Sequence, residues 1–302
     1  MPNLYDVLIS HKNKKDKKIF GLVVQGGGMR ASYSAGALVT LLEYGFEETF
    51  DHVVGSSAGA MNAAYFLATD KDAAHIYTDD LSNKNFVNLL RSEKKVDVDY
   101  VVDMVLKHKR PIDISKLINT RSKLHVVLTN AKTGKKEVVS NHRQFAEIYE
   151  EFRATAAIPI LYDKKIKVGN KEYVDGGVAD LIPVDVAIRL GCTDIVVIMT
   201  QQIISYRFDR QHERLVKHLI RRFAKQQVDA VKKNLPTNKK VLKLNLRRIS
   251  KPLKKTRVYL LEPSDEESLI SLLTIDKDKV ETFAKLGVED MDKFLQAELP
   301  KV

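Results

Sequence analysis

The stretch Gly55-Ser56-Ser57-Ala58-Gly59 decides the fold, because its G-x-S-x-G pattern is typical of a sharp turn between a strand and a helix. Residues 51–54 before it are rich in β-branched side chains, and residues 60–67 after it are rich in alanine. The two outer glycines have no Cβ atom, so the strand and the helix can approach closely. Ser57 would stand at a helix N-terminus, where the helix dipole stabilises developing negative charge. The pattern predicts a nucleophile elbow, and a plain small-residue turn is the alternative.

A second strand–loop–helix unit precedes this one in the chain. Residues 19–25 form an apolar run of buried-strand type that leads directly into Gly26-Gly27-Gly28-Met29-Arg30. A helix is predicted from about Ser32 to Tyr44. Because neighbouring parallel strands need a crossover that is usually helical, the two units in tandem predict an α/β fold. We expect a central, mostly parallel sheet with helices on both faces.

The remaining elements follow from shorter patterns. Hairpins are predicted at residues 124–140 and 165–174, and buried strands at residues 194–199 and 257–261. Helices are predicted at about 143–157, 181–190, 208–234 and 276–299, with Pro236 ending the third of them. Residues 70–119 contain no motif with a clear meaning. They are interpreted as mostly helical, and they either cover the site or simply pack against the rest.

Composition limits the class of protein. The chain has 302 residues, 44% of them hydrophobic, which is enough for one large domain or two small ones. No window reaches the run of about eighteen apolar residues that a membrane span needs. The N-terminal residues lack the pattern of a signal peptide, and the single cysteine, Cys192, excludes an internal disulfide framework. We expect a cytoplasmic protein.

The net charge of +11 is spread unevenly. Lysines cluster in residues 12–18, and residues 207–257 contain few acidic side chains. Such asymmetry favours binding to an anionic membrane or to nucleic acid, although a merely solvated face has the same composition. Aromatic residues do not alternate with the basic ones, which argues against nucleic acid.

We therefore expect peripheral contact between residues 207–257 and the anionic inner membrane surface, and no nucleic acid partner. This interpretation also predicts that five basic side chains share one exposed face beside the opening above Ser57, namely Arg221, Arg222, Lys225, Lys232 and Lys233.

Acyl transfer by a serine needs a nucleophile, a base and donors for the oxyanion. Ser57 is the candidate nucleophile, and Gly26 to Gly28 can direct backbone N–H groups at a substrate oxygen. Arg30 adds a positive charge nearby.

The base must be a histidine or a carboxylate. The histidines are poor candidates, because two lie in predicted strands and two in the basic helix: His52, His125, His212 and His218. Asp175 follows a hairpin and precedes Gly176 and Gly177, which leave its carboxylate accessible. An ordinary Asp-Gly turn has the same sequence.

Together these motifs resemble those of the patatin-like phospholipase family. The resemblance rests on residues 26–30, 55–59 and 175–177, in the family's order, and on the small-residue block 153–159 with its proline. It covers roughly residues 19–200 and is closest to bacterial members. It implies a patatin-like three-layer α/β fold and a lipid acyl hydrolase of the serine esterase or phospholipase A type. It also implies a Ser–Asp dyad and a lipid or acyl-ester substrate, and for this chain we expect no cofactor or metal.

The resemblance assigns a role to each matching position. Ser57 becomes the nucleophile, Asp175 the general base, and Gly26, Gly27 and Gly28 the oxyanion hole. Five further residues support these groups: Arg30, Gly55, Gly59, Gly176 and Gly177. The chain departs from the family at Ala31, where the first motif normally has glycine, and the loop should tolerate alanine if φ is negative there.

The chain is expected to have three parts. Residues 1–18 form a basic N-terminal arm, and residues 19–205 form the catalytic domain. Residues 206–302 form a basic, mostly helical extension, with one strand that packs on the same domain.

Three other functions compete with this interpretation. Residues 26–31 also match the dinucleotide-binding pattern G-x-G-x-x-A, but the acidic residue needed after a second strand is missing. A non-catalytic, membrane-associated regulatory protein could keep the same fold. A triad esterase could use His212 or His218 as its base.

Overall fold

A mostly parallel sheet forms the centre of the molecule. The structure, a computed structural model, describes residues 3–13, 17–140, 145–162, 164–208, 229–251, 253 and 255–298. Within these residues the sheet has eight strands. They are β1 Phe20–Val24, β2 His52–Ser56, β3 Lys123–Asn130, β4 Lys136–Ser140, β5 Ile166–Val168, β6 Lys171–Val174, β7 Asp194–Ile198 and β8 Arg257–Leu261.

The strand order places the two predicted units side by side. The order is β5-β6-β3-β2-β1-β7-β8, and β4 pairs with β3. Strands β3, β2, β1, β7 and β8 are parallel to one another, whereas β4, β5 and β6 add antiparallel pairs. Because β1 and β2 are parallel neighbours, the loops that follow them leave the sheet at the same edge. The glycine loop and the elbow are therefore adjacent.

Helices cover both faces of the sheet. Their bounds are α1 Leu4–Lys12, α2 Ala31–Glu43, α3 Ala58–Leu67, α4 Ala73–His75, α5 Ile114–Asn119, α6 Phe145–Ala156, α7 Gly176–Ala179, α8 Val184–Arg189, α9 Ile203–Phe208, α10 Asp229–Ser250 and α11 Lys277–Gln296. A 3-10 turn spans Gly28–Arg30, and two π-helical segments span Ile76–Leu81 and Tyr100–Lys109.

The buried side chains form a large core on each face. The larger core contains residues from α1, α2, α3, α6 and α11, and the smaller one contains residues from α8 and α10. Alternate residues of each central strand supply the two cores, as Val24 and Val23 do in β1. Two helical layers around one sheet confirm the predicted three-layer α/β fold. Across the described ranges, no helix combines the length and the apolar composition that crossing a bilayer requires.

Helix α11 packs very closely on α2, the helix that follows the glycine loop. A Cβ atom added at Gly36 would lie 2.1 Å from the carbonyl oxygen of Ala284, and one added at Gly287 would lie 2.0 Å from that of Tyr33. The Tyr33 hydroxyl donates to Asp290 across the same contact (3.0 Å). Helix α11 thereby fixes the position of α2, the helix that follows the glycine loop.

One predicted helix boundary is wrong. The sequence predicts that Pro236 ends a helix, but α10 continues through it to Ser250. An interior proline costs a helix about 3 kcal/mol. The following turns offset that cost, because Ile249 packs in the smaller core and Asn245 donates to both Asp180 and the carbonyl oxygen of Ile182 (each 3.0 Å).

The N-terminal residues also differ from the simple arm that the sequence predicts. They include helix α1, which begins at a capping box formed by Asn3 and Asp6. Leu4 and Leu8 are fully buried in the larger core.

The close packing of α2 and α11 can be tested with Gly287→Ala. The added methyl group must separate the helices, so the free energy of unfolding should fall by about 2 kcal/mol, even though alanine favours a helix by about 1 kcal/mol. Urea denaturation measures the change. Lys285→Ala, at an exposed position of the same helix, should change stability by less than about 0.5 kcal/mol. Equal stability of the Gly287→Ala variant and the unsubstituted protein would contradict the described packing.

Candidate active site

Ser57 occupies a strained turn between β2 and α3. Its φ is 53° and its ψ is −136°, a conformation that serine rarely adopts. The turn is possible because of its glycines: a Cβ atom at Gly55 would lie 2.6 Å from Cα of Ala60, and one at Gly59 would lie 2.4 Å from the carbonyl oxygen of Val24. The predicted elbow therefore has the close backbone contacts that its sequence requires.

A buried threonine holds the strained residue in place. The N–H group of Ser57 donates to Oγ1 of Thr155 (2.8 Å), and that hydroxyl donates to the carbonyl oxygen of Val127 (2.7 Å). Thr155 is fully buried near the end of α6. It lies within the small-residue block 153–159, but sequence reasoning did not assign it a role. The sequence signal that could have identified Thr155 is its position as a polar residue among alanines.

Asp175 is fixed just after β6 by hydrogen bonds on three sides. Its Oδ1 atom accepts from the N–H of Gly177 (2.7 Å), and its carbonyl oxygen accepts from Oγ1 of Thr129 (2.7 Å). Its own N–H donates to the carbonyl oxygen of Ala157 (3.0 Å). The residue after it must be glycine, because a Cβ atom at Gly176 would lie 2.0 Å from the carbonyl oxygen of Val127.

The second carboxylate oxygen of Asp175 is buried and unbonded. Among the described residues, Oδ2 has no hydrogen-bond partner. Burial raises the pKa of Asp175 from 3.8 to about 7, against the lowering effects of the Ser57 hydroxyl and the Gly177 N–H. The hydroxyl of Ser57 thus faces this carboxyl group closely enough to affect its pKa, although no hydrogen bond joins the two side chains. The structure brings the two residues together in a loose contact.

The glycine loop lies beside the elbow and has the conformation that only glycine adopts readily. Gly27 has a φ of 157° and Gly28 a φ of 55°. Within the part of the chain that the structure describes, their N–H groups donate to no other atom. A Cβ atom at Gly26 would lie 2.5 Å from the carbonyl oxygen of Ser56, so this loop touches the elbow directly. Two free N–H groups next to Ser57 can bind a substrate oxygen.

The structure also resolves the question raised by Ala31. Its φ is −69°, which is helical backbone that alanine adopts without strain. The neighbouring Arg30 donates from Nε to the carbonyl oxygen of Ile270 (2.8 Å) and from Nη1 to the side chain of Gln201. Arg30 therefore joins the glycine loop to residues near the C-terminus.

Ser57 and Asp175 open into the same cavity. Its volume is about 570 Å³, and Gly27, Gly28, Arg30 and Gly177 also line it. Most of the other lining side chains are apolar, for example Met61, Leu81, Phe86, Val101, Leu161 and Leu272. The cavity therefore combines a few polar groups with a large apolar surface.

Two segments without a recognisable motif form much of the cavity wall. Residues 76–106 contribute apolar side chains from both π-helical segments, and residues 271–273 contribute a loop from the C-terminal part. Ion pairs fix the first segment: Arg110 contacts three acidic side chains, and Arg153 contacts Asp99 and Asp103 (2.5 and 2.8 Å). Of the two interpretations of residues 70–119, the structure supports a wall of the site.

The described histidines lie away from the candidate nucleophile. His52 and His125 contact each other in β2 and β3, with 3.0 Å between Nδ1 and Nε2, and burial lowers the pKa of His52. Among the described residues, no histidine lines the cavity. His212 and His218 lie outside the described residues, and so do the side chains of the five basic residues predicted to share one face: Arg221, Arg222, Lys225, Lys232 and Lys233.

The site does not fit a dinucleotide. Strand β2 ends at Ser56 and is followed by Ser57, where a dinucleotide site needs an acidic residue for the ribose. In the described part of the chain, no group of three or more His, Cys, Asp or Glu side chains could hold a metal ion.

A sequence model of the patatin-like phospholipase family matches residues 22–188. This chain belongs to the patatin-like phospholipase family. The chain is also similar to the uncharacterized protein YjjU of Escherichia coli strain K12, with 29% identity over an alignment of 194 residues that covers 59% of this chain. The matched region covers 51% of YjjU, so the chain spans about half the length of this curated relative.

Similarity to the solved structure of VipD supports the α/β fold. The crystal structure of VipD from Legionella pneumophila is similar with a TM-score of 0.52 and 13% identity, over 93% of this chain and 67% of that one. The human GIVD cytosolic phospholipase A2 has a TM-score of 0.41 and 10% identity, over 97% of this chain and 62% of that one. At these identities the likeness to VipD shows the fold alone.

The burial of Asp175 predicts a pH-dependent effect of Asp175→Asn on stability. With a folded-state pKa of about 7 instead of 3.8, ionising this carboxyl group costs the folded state about 4 kcal/mol above neutral pH. Asparagine removes this cost, so the variant should have the higher free energy of unfolding at about pH 8. The advantage should shrink as pH falls through about 7 and should vanish below about pH 4, where both states are protonated.

Urea denaturation at both ends of this pH range measures the effect. Asp278→Asn, at an exposed position, is the matched control and should show little change. If the advantage of Asp175→Asn over the unsubstituted protein is no larger at high pH than at low pH, the buried carboxylate ionises without cost.

Proposed function

We propose that this protein hydrolyses acyl esters of lipids, with Ser57 as the nucleophile and Asp175 as the general base. The observation that supports this most directly is that both side chains open into one apolar cavity and face each other there. Membership of the patatin-like phospholipase family supports lipid hydrolysis as the reaction.

The environment of Asp175 suits a base that acts at neutral pH. A carboxylate with an ordinary pKa of 3.8 is a weak base, whereas burial brings the pKa of Asp175 to about 7. Its unbonded Oδ2 atom is available for the proton of the Ser57 hydroxyl. The loose contact in the free protein can tighten when the substrate excludes water.

The glycine loop supports the third requirement, stabilisation of the oxyanion. The N–H groups of Gly27 and Gly28 are free within the described residues and lie on the loop that touches the elbow. Fixed donors of this kind stabilise charge as it develops, without reorganisation during the reaction. The N-terminus of α3, directly after Ser57, adds its dipole.

The proposed reaction has two steps. Ser57 Oγ attacks the ester carbonyl carbon while its proton passes to Asp175, and the carbonyl oxygen becomes an oxyanion at the glycine loop. The C–O bond to the alcohol then breaks, and Asp175 returns the proton to the leaving oxygen. In the second step water attacks the acyl-enzyme and gives a proton to Asp175. That proton returns to Ser57 as the fatty acid leaves.

The cavity supports a lipid acyl chain as the bound group. Its walls are mainly aliphatic and aromatic, so they remove apolar surface of the acyl chain from water.

Because residues 271–273 help to form these walls, the proposed catalytic unit extends beyond residues 19–205. We also propose a cytoplasmic protein and, from the charge pattern alone, contact between residues 207–257 and anionic membrane.

Labelling with a fluorophosphonate tests the enzyme class and the nucleophile together. The reagent should modify the peptide that contains Ser57, and Ser57→Ala should abolish labelling and lower ester hydrolysis by at least about a thousandfold. Ser56→Ala is the matched control, because Ser56 is buried and does not line the cavity. Modification of a different residue, or equal hydrolysis by Ser57→Ala, would overturn the assignment. An unlabelled, inactive protein would favour the non-catalytic alternative.

The pH dependence of hydrolysis tests Asp175 as the base. The base must be unprotonated, so kcat/KM for a soluble short-chain ester should fall about tenfold per pH unit below about 7. Asp175→Asn should lose nearly as much activity as Ser57→Ala, and the double variant should lose no more than either. A rate that stays constant down to about pH 5 would contradict this role. Loss of the inflection on substitution of His212 and His218 would indicate a triad.

A further inference from the structure

A short hairpin carries the most exposed leucine of the described residues. It spans residues 86–97 and is paired at its base, where Asn88 N–H donates to the carbonyl oxygen of Lys95 and Asp97 N–H donates to that of Phe86 (each 2.8 Å). Its tip bears Leu89 and Leu90, whose exposed fractions are 58% and 96%. Leaving two adjacent leucines in water is unfavourable, so this tip has the character of a binding surface.

Contacts of the Arg91 side chain stabilise the hairpin with its tip directed away from the core. The guanidinium group of Arg91 donates to the carbonyl oxygens of Lys84 (3.0 Å) and Asn85 (3.2 Å), and it also pairs with Asp97 (3.5 Å). Arg91 thereby connects the residues just before the hairpin with Asp97 at its end. The leucines are therefore presented by a structured turn.

The base of the hairpin belongs to the cavity that contains Ser57. Phe86 and Val96 are buried and line that cavity. The N–H of Val96 donates to the carbonyl oxygen of Leu161, which lines the same cavity (3.0 Å). The exposed tip is therefore continuous with the wall of the candidate active site.

The charges around the tip favour an anionic surface. Residues 84–97 contain four cations and two carboxylates, a net charge of +2: Lys84, Arg91, Lys94 and Lys95 against Glu93 and Asp97. Two of the cations also form ion pairs within the protein, Arg91 with Asp97 (3.5 Å) and Lys94 with Asp99 (2.6 Å). Cations that flank exposed apolar side chains are the pattern of segments that enter the interface of an anionic bilayer. Two leucine side chains are far smaller than the roughly 800 Å² that each partner buries in a stable protein interface.

We propose that the 86–97 hairpin inserts Leu89 and Leu90 into the surface of a bilayer that contains anionic lipid. The inserted tip would hold the cavity wall against the lipid, so that an acyl chain can enter without crossing water. This inference deepens the proposed lipid hydrolysis and rests on it for its purpose, whereas the binding itself can be measured without catalysis.

Binding to vesicles of phosphatidylcholine and phosphatidylglycerol tests the proposal. The full chain with Ser57→Ala serves as the reference, so that hydrolysis does not change the vesicles. In that background Leu89→Asn with Leu90→Asn should weaken binding by roughly tenfold or more, because apolar surface is no longer buried. Ile19→Asn is the matched control: this isoleucine is 36% exposed directly before β1, at the edge of the sheet opposite the glycine loop and outside residues 207–257, and should not affect binding.

Each outcome of this experiment decides the question. Unchanged melting temperatures establish that the variants are folded, and selective loss of vesicle binding in the pair variant supports the proposal. If vesicle binding is unchanged in the pair variant but weakens as salt rises, the basic residues 207–257 are responsible for the binding, and the proposal is overturned. A lipid-free dimer that dissociates in the pair variant would show that the tip binds a second copy, which also overturns it. If the leucines control binding while the protein with Ser57 hydrolyses no ester, the proposed function fails and this inference stands.

Discussion

The close approach of backbone to backbone at the turn after β2 is the constraint on which the rest of the structure depends. Ser57 has a positive φ, and the residues that hold it there come from separate parts of the chain. Gly59 touches β1, and Thr155 connects the turn to β3 through Val127. Strain of this kind persists only when neighbouring structure opposes its release. The parallel sheet prevents release of the strain, because its strands hold β1 and β3 against the turn at the same time.

The same arrangement sets the function proposed for Asp175 against the stability of the fold. A buried carboxyl group with one unbonded oxygen destabilises the ionised folded state, yet this is also what makes it a stronger base. The surrounding hydrogen bonds from Gly177 and Thr129 keep the group in position without satisfying that oxygen. Ordinary core positions avoid such a group. Its burial beside Ser57 supports the proposed role of Asp175 as a base.

The sequence predicts the parts of this site that depend on local geometry. The glycines of the elbow and of residues 26–28 have characteristic spacing because close backbone contacts leave no alternative residue. The cavity walls were not predictable, because residues 76–106 and 271–273 meet Ser57 only through long-range packing and any apolar side chain of suitable size serves there. The helix boundary predicted at Pro236 was wrong for a similar reason. Proline disfavours a helix locally, but the packing of later residues such as Ile249 stabilises the helix by more than proline destabilises it.

The contact between the glycine loop and the C-terminal part has a consequence for biosynthesis. The N–H of Met29 donates to the carbonyl oxygen of Leu272 (3.1 Å), and α2 rests against Gly287 of α11. A chain still being translated contains Ser57 and Asp175 long before these later residues emerge from the ribosome. During that interval the glycine loop has neither its hydrogen-bond acceptor nor its supporting helix. The order of synthesis therefore delays completion of the glycine loop, and with it the reactivity proposed for Ser57, until residues 272–287 have been made.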